Sequence, residues 1–208
     1  ETIILKRLYL LLPSSIIKYN LLNFPNLRNI HDYSVRMNIK SEDLKRTMLT
    51  HSNQPLPTSL TKLSPILSAL SIIIYIKYIR TIEKHIYTNN NIILKQLLIL
   101  GRKHPVMRDE ILLLIIKQMR NNMDIHAVIR LWKCLTACLY HFPPSHLFES
   151  YLELYLLQQC NIENNSIYYI QYAQKSIRYM HSSIILYGYN KIIKKEYLSS
   201  CCPFPTCS

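Results

Sequence analysis

Along most of this chain apolar residues return every third or fourth position, in blocks bounded by Pro, Asn and Ser, and that rhythm predicts helices joined by short polar loops. Pro13 and Pro25 break residues 1–30 into helix and linker. Ser41 can cap a short helix over 41–51, Glu42 and Asp43 suit its positive N-terminal end, and Pro55 and Pro57 stop it. A long helix is expected at about 65–87, then a polar break at Asn89 to Asn91. The next helix runs from Ile92 to Gly101, placed as a left-handed closing residue. Pro105 starts another, to about Asn121, whose apolar residues at 111, 112, 114, 115 and 116 cover nearly its whole circumference, so it should be central and buried. After a loop at 122–126, a helix at about 127–140 carries Leu131, Cys134, Leu135 and Cys138 at helical spacing. Pro143-Pro144 forces a stop, and Ser145 caps a helix to about Gln159. Asn164 and Asn165 precede a helix from Ser166 to about Met180, and a last one is expected over 183–198. The expectation is an all-α, compact bundle of about six to eight helices, with residues 1–30 as an extension or linker, 31–198 as the helical domain and 199–208 as an irregular Cys/Pro tail.

Composition removes whole classes of site. Only Gly101 and Gly188 occur, whereas phosphate loops and dinucleotide fingerprints need several glycines for close backbone approach to an anion. The net charge of +13 favours acidic partners, and the basic residues are dispersed without a block of five or six. Three of the six cysteines, Cys134, Cys138 and Cys160, lie in apolar stretches; Cys201, Cys202 and Cys207 crowd the C-terminus. That is no disulfide framework, and it suits a reducing, cytosolic setting. The apolar run Ile3 to Leu12 carries Lys6 and Arg7 and is too short and interrupted for a membrane span, with a remnant signal peptide as the alternative, whereas Ile66 to Ile79, with Lys77 inside, suits a buried helix better than a span. The chain opens on Glu1, as a fragment or processed product would.

Candidate chemistry is sparse. Asp109 and Glu110 could form a general acid/base pair, but no nucleophile or metal-ligand spacing accompanies them, so an ion-pair and capping role with Arg108 is the expectation. Trp132 shares a helical phase with Leu131 and Leu135, which points to core packing. Cys134, Cys138, His141 and His146 have a loosely zinc-like spacing, but Pro143-Pro144 separates the histidines and no Cys-x-x-Cys is present; no metal is expected. The remaining binding candidates are basic: Lys40, Lys45 and Arg46; Arg102 and Lys103, beside His104; and Lys191, Lys194 and Lys195.

The segment LGRKHPVMRDEILLLIIKQMRNN, residues 100–122, resembles the signature of the myosin tail homology 4 family. Pro105, Arg108-Asp109-Glu110-Ile111, Lys117-Gln118 and Asn121 match it. Leu131-Trp132 resembles the family's Gly-Trp motif, with Arg130 in place of Gly. Phe142-Pro143-Pro144-Ser145 and Tyr151-Leu152 match the pattern that opens the following helix, and Tyr172-Ala173-Gln174 with Arg178 resembles a later one. Leu112-Leu113-Leu114 replaces the usual Tyr-x-Gln, Ser176 a usual Cys. The resemblance covers roughly residues 31–195. It implies a structural motif of Pro105, Arg108, Asp109, Glu110, Gln118, Trp132 and Pro144, and a non-catalytic, cofactor-free interaction module in a cytoplasmic, cytoskeleton-associated motor or Rho-regulatory protein. Its partners would be microtubules or acidic cargo peptides, bound beside a FERM or GTPase-activating domain. A basic helical nucleic-acid-binding domain is the alternative. Against it, the tyrosines do not interleave with Lys and Arg as a stacking platform would.

Overall fold

The computed structural model describes residues 13–32, 47–84, 90–161 and 166–189. Among the described residues the chain forms seven α-helices: α1 (Pro13–Lys18), α2 (Pro65–Lys84), α3 (Asn90–Lys103), α4 (Arg108–Met119), α5 (Ile125–His141), α6 (His146–Asn161) and α7 (Ile167–Tyr187). Short 3-10 turns occupy Leu21–Asn23 and Pro105–Met107, and α2 contains a π turn at Tyr75–Ile79 that the spacing did not foretell. Among the described residues the β-pairing is a single bridge, Leu27 to Thr61. The architecture is all-α, as the rhythm of apolar positions implied.

Three boundaries differ from expectation. Gly101 does not close α3; the helix continues through it to Lys103. A Cβ there would stand 2.2 Å from the ring of Phe142, so the glycine admits an aromatic side chain instead of turning the chain. The expected separate helix at 183–198 does not begin at 183. Instead α7 runs unbroken to Tyr187, and Gly188 (φ 64°) ends it. Residues 190–198 lie outside the described residues, as do 33–46, which hold most of the expected helix at 41–51. Asn90 and Asn91, expected in a break, form the first turn of α3.

The centre of the bundle is α4, every one of whose residues is buried, including Arg108, Asp109, Glu110, Lys117 and Gln118. Its charged ends flank a run, Ile111 to Ile116, at 0% exposure. Burying one such side chain contributes about 1.5–3 kcal/mol. Helix α5 packs on α4 and most extensively on α7, and α6 also packs on α7. Trp132 lies inside, as its phase with Leu131 and Leu135 implied. Leu21, Phe24 and Leu27, from the segment before α2, also join the core; Phe24 packs on Phe148 at 4.7 Å and on Tyr151 at 5.4 Å between ring centroids.

Helix α2 is long and apolar enough to cross a membrane by length and composition. Here it is part of the bundle: Ser71, Ile74, Tyr75, Ile79, Ile82 and Glu83 are buried against its neighbours.

Helix propensity alone would favour Gly101→Ala by up to about 1 kcal/mol. The Phe142 contact reverses the sign, and the substitution should destabilise by about 1–3 kcal/mol, the usual cost of overpacking. Urea unfolding of Gly101→Ala, with and without Phe142→Leu to make room, measures this; a stabilised single variant would refute the close approach.

Candidate functional site

Successive residues on a helix step by about 100°. Arg108, Asp109 and Glu110, at the start of α4, therefore reach three different parts of the structure. Glu110, at 0% exposure, accepts from Leu60 N (2.8 Å), Thr61 N (2.7 Å), Thr61 Oγ1 (2.6 Å) and Ser71 Oγ (2.5 Å). Burial pushes its pKa up, and the four donors oppose that. Asp109 accepts from Ser145 N (2.8 Å) and Ser145 Oγ (2.6 Å), while Ser145 Oγ itself accepts from Phe148 N (3.2 Å) in the first turn of α6. Burial raises the Asp109 pKa to about 6. Arg108 donates from Nε to Gly101 O (2.9 Å) and from Nη1 to Tyr189 O (2.7 Å). Burial lowers its pKa to about 10, so it stays charged at neutral pH. Each member of the triplet ties α4 to a different segment: the loop before α2, the start of α6, and the ends of α3 and α7.

The other end of α4 pins the loop at 50–54. Gln118 Nε2 donates to Tyr75 Oη (2.6 Å) and Ser52 O (3.1 Å), and its Oε1 accepts from Ser52 N (3.1 Å). Lys117 Nζ donates to Thr50 O (2.5 Å), and burial pulls its pKa down to about 8. Glu83, buried on α2, is paired with Arg80 (3.0 Å) and His51 (2.7 Å) and accepts from Asn122 Nδ2 (3.2 Å). Arg130, noted in sequence only as a departure from Gly, donates to the carbonyls of Ile82 and Glu83 near the end of α2, where a cation meets the negative pole of the helix. Asp124, expected in a loop, is the N-cap of α5 and accepts from His126 N and Ala127 N. An Asx cap was a readable signal; the roles of Glu83 and Arg130 were not, because they depend on which helices meet.

Pro105 opens the 3-10 turn that leads into α4, and Pro144 is buried just before α6. Cys134 and Cys138 are buried thiols of α5, with Cys138 pushed well up by burial and by Cys134. His141 is half-buried, its pKa lowered to about 4 by burial and by Arg102, and exposed His146 stacks on Tyr189 at 5.1 Å. Among the described residues no three His, Cys, Asp or Glu side chains gather as metal ligands would.

Of the basic candidates, Arg102 is corrected. It is 3% exposed, and a guanidinium turned into the bundle offers no surface to a partner. Lys103, next along, is exposed. Lys40, Lys45, Arg46, Lys191, Lys194 and Lys195 lie outside the described residues. Sequence reasoning missed where the carboxylates go. Glu83, Asp109, Glu110, Glu149 and Glu153 are all buried, and among the described residues only Asp32 and Asp124 are exposed carboxylates. Exposed Lys18, Lys62, Lys77, Lys84, Lys95, Lys103 and Arg178 therefore face water with little acidic company.

Removing the acceptor of four buried donors should be costly: Glu110→Ala is expected to destabilise by about 2–4 kcal/mol, and Glu110→Gln by less, since one oxygen still accepts. Chemical denaturation of the two variants measures the gap, and equal losses would contradict the hydrogen-bond account. Lys117 sets a pH signature. Its pKa is about 8 in the fold and 10.5 for a free side chain, so above pH 8 the unfolded chain holds the extra proton and stability rises with pH. The rise should reach up to about 1 kcal/mol per pH unit between about pH 8 and 9, beyond which the raised Cys138 thiol opposes it. Stability curves of the parent and Lys117→Met should diverge across that window; parallel curves would exclude a buried ammonium.

Residues 94–188 match the family model described as the MyTH4 domain. Over 133 residues the chain is 29% identical to the high molecular weight form of myosin-1 from Acanthamoeba castellanii, covering 64% of this chain and 8% of that protein. It is 32% identical over 132 residues to the kinesin-like protein KIN-14I from Oryza sativa subsp. japonica, covering 59% of this chain and 10% of that one. The chain therefore spans a tenth or less of the length of these relatives. The fold is similar to the MyTH4-FERM MF1 domain of Dictyostelium discoideum myosin VII, with TM-score 0.69, 18% identity, 88% of this chain and 36% of that chain. The MF2 domain of the same myosin gives TM-score 0.65, 16% identity, 75% of this chain and 33% of the other. The motif that opens α4, the match of residues 94–188 to the family model and the helical fold agree, and residues 94–188 resemble a myosin tail homology 4 (MyTH4) domain.

Proposed function

We propose that this chain is a non-catalytic interaction module of a larger, cytoplasmic, cytoskeleton-associated motor or Rho-regulatory protein. It binds microtubules or acidic cargo through its exposed Lys and Arg side chains. The observation that carries this reading is the sorting of charge: the carboxylates of α4 and α6 are committed to internal hydrogen bonds and ion pairs, while Lys18, Lys62, Lys77, Lys84, Lys95 and Lys103 are exposed. A cationic surface draws acidic partners by long-range attraction that salt screens over about 8 Å at physiological ionic strength. The relatives are myosin and kinesin proteins, and the similar solved domains adjoin FERM domains, which supports a parent with a neighbouring domain of that kind. The acid/base reading of Asp109 and Glu110 has no support, because both carboxylates are occupied by Ser145 or by Leu60, Thr61 and Ser71. The nucleic-acid reading gains no favouring observation either, since Tyr75, Tyr151 and Tyr155 are packed in the core and unavailable for base stacking.

The test is co-sedimentation with microtubules. Binding is expected at low salt, weakening steadily as salt is added, and about tenfold weaker for Lys95→Glu combined with Lys103→Glu on α3. Failure to pellet at low salt would remove the microtubule version.

A further inference from the structure

Helix α2 buries one face and leaves a row of apolar side chains on another. Ile66, Ala69, Ile73 and Ile76 are exposed and follow one another at intervals of three, four and three residues. That is the a/d spacing of a helix that meets a second helix. Ile66 is 83% exposed, Ile73 46% and Ile76 52%. Single exposed isoleucines are ordinary, but a row along one helix marks a contact surface. Rotation of α2 cannot hide them. Tyr75 and Ile79 are held in the core, with Tyr75 Oη between Gln118 Nε2 and Ser52 O, so Ile76 and Lys77 between them face outward. The π turn lies over this same stretch, as π turns often do at functional positions.

Charge decides what fits the row. Lys77 and Lys84 are exposed on the same helix. From 47 to 84 the one carboxylate is Glu83, buried and paired with Arg80 and His51. Exposed Asp124 stands 3.8 Å from Arg130, which binds carbonyls near the end of α2. Lys77 and Lys84 are the exposed cations of α2, and charge beside an apolar seam selects the partner helix. Beside the row runs a groove of about 330 Å³ lined by Pro55, Tyr75, Ile76, Thr81 and Lys84, among others.

We propose that α2 is a docking seam for an acidic amphipathic helix of a partner protein, one with apolar a and d positions and Glu or Asp on its flanks. This rests on the reading of the chain as a module for acidic partners and names a surface and a geometry for it. The partner's apolar side chains pack between Ile66, Ile73 and Ile76, and its carboxylates meet Lys77 and Lys84.

The full chain is titrated by fluorescence anisotropy into a labelled peptide of about three heptads, with Leu at a and d and Glu at e and g, whose like charges keep it from pairing with itself. One control peptide has the same composition scrambled; another has Lys for Glu. Saturable, salt-sensitive binding of the patterned acidic peptide is expected, at least tenfold tighter than either control. The Ile66→Gln/Ile73→Gln/Ile76→Gln variant and the Lys77→Glu/Lys84→Glu variant should each lose at least tenfold, with Tm unchanged because every replaced side chain is exposed. Equal binding of the scrambled peptide would reduce the effect to charge alone, and equal binding of the basic peptide to apolar contact alone; either overturns the proposal. So does an isoleucine variant that binds as the parent does. Uptake by phosphatidylserine vesicles that needs the isoleucines, without peptide binding, overturns it in favour of a membrane surface. Microtubule pelleting is run alongside. A chain that pellets but ignores every peptide loses only the seam, and one that does neither loses the wider reading as well.

Discussion

Glu110 is a fully buried ionisable group held by two backbone N–H groups and two hydroxyls. An isolated buried carboxylate is among the most expensive groups to place in a protein interior. The fold tolerates it because every donor in reach is aimed at it, and those donors belong to the loop at 60–61 and to α2, far away in sequence. Helix α4 cannot occupy the centre of the bundle unless that loop and α2 arrive in register. Asp109 and Arg108 impose matching demands on the start of α6 and on the ends of α3 and α7. The triplet is thus a set of three fixed joints on one helix turn.

Those joints shape the surface as well as the interior. A chain with 12 acidic and 25 basic residues already carries an excess of positive charge. Among the described residues, Glu83, Asp109, Glu110, Glu149 and Glu153 are committed to the inside, and only Asp32 and Asp124 are exposed carboxylates. Architecture and recognition are then coupled: the carboxylates that hold helices together are the ones withdrawn from the surface. The polar pins at the far end of α4 work similarly. Gln118 and Lys117 fix the loop at 50–54, and Gln118 also holds Tyr75 inward. That in turn leaves Ile76 and Lys77 outside, joining a core hydrogen bond to an exposed helix edge.

Periodicity and punctuation were informative because they act locally. The breaks at Pro105 and Pro143-Pro144, the full-circumference hydrophobicity of 111–116 and the phase of Trp132 with Leu131 and Leu135 each reflect a constraint felt within one or two turns. Gly101 misled for an instructive reason. Glycine at a helix end usually supplies a left-handed closing residue, but here it supplies the absence of a side chain, and only the position of Phe142 forty-one residues on reveals the need. Arg102 misled similarly: a Lys/Arg pair before a proline looks solvated, and which of its members turns inward depends on α5 and α7.

The chain's own residues dictated helices, the burial of α4, and the family to which its Arg-Asp-Glu turn points, since all three follow from short-range spacing and chemistry. Tertiary structure alone decided which donors surround Glu110, that Ser145 holds Asp109, which carboxylates leave the surface among the described residues, and which edge of α2 remains uncovered. Each of these is a meeting between segments tens of residues apart. Such meetings are set by how helices pack, and local periodicity carries no record of them.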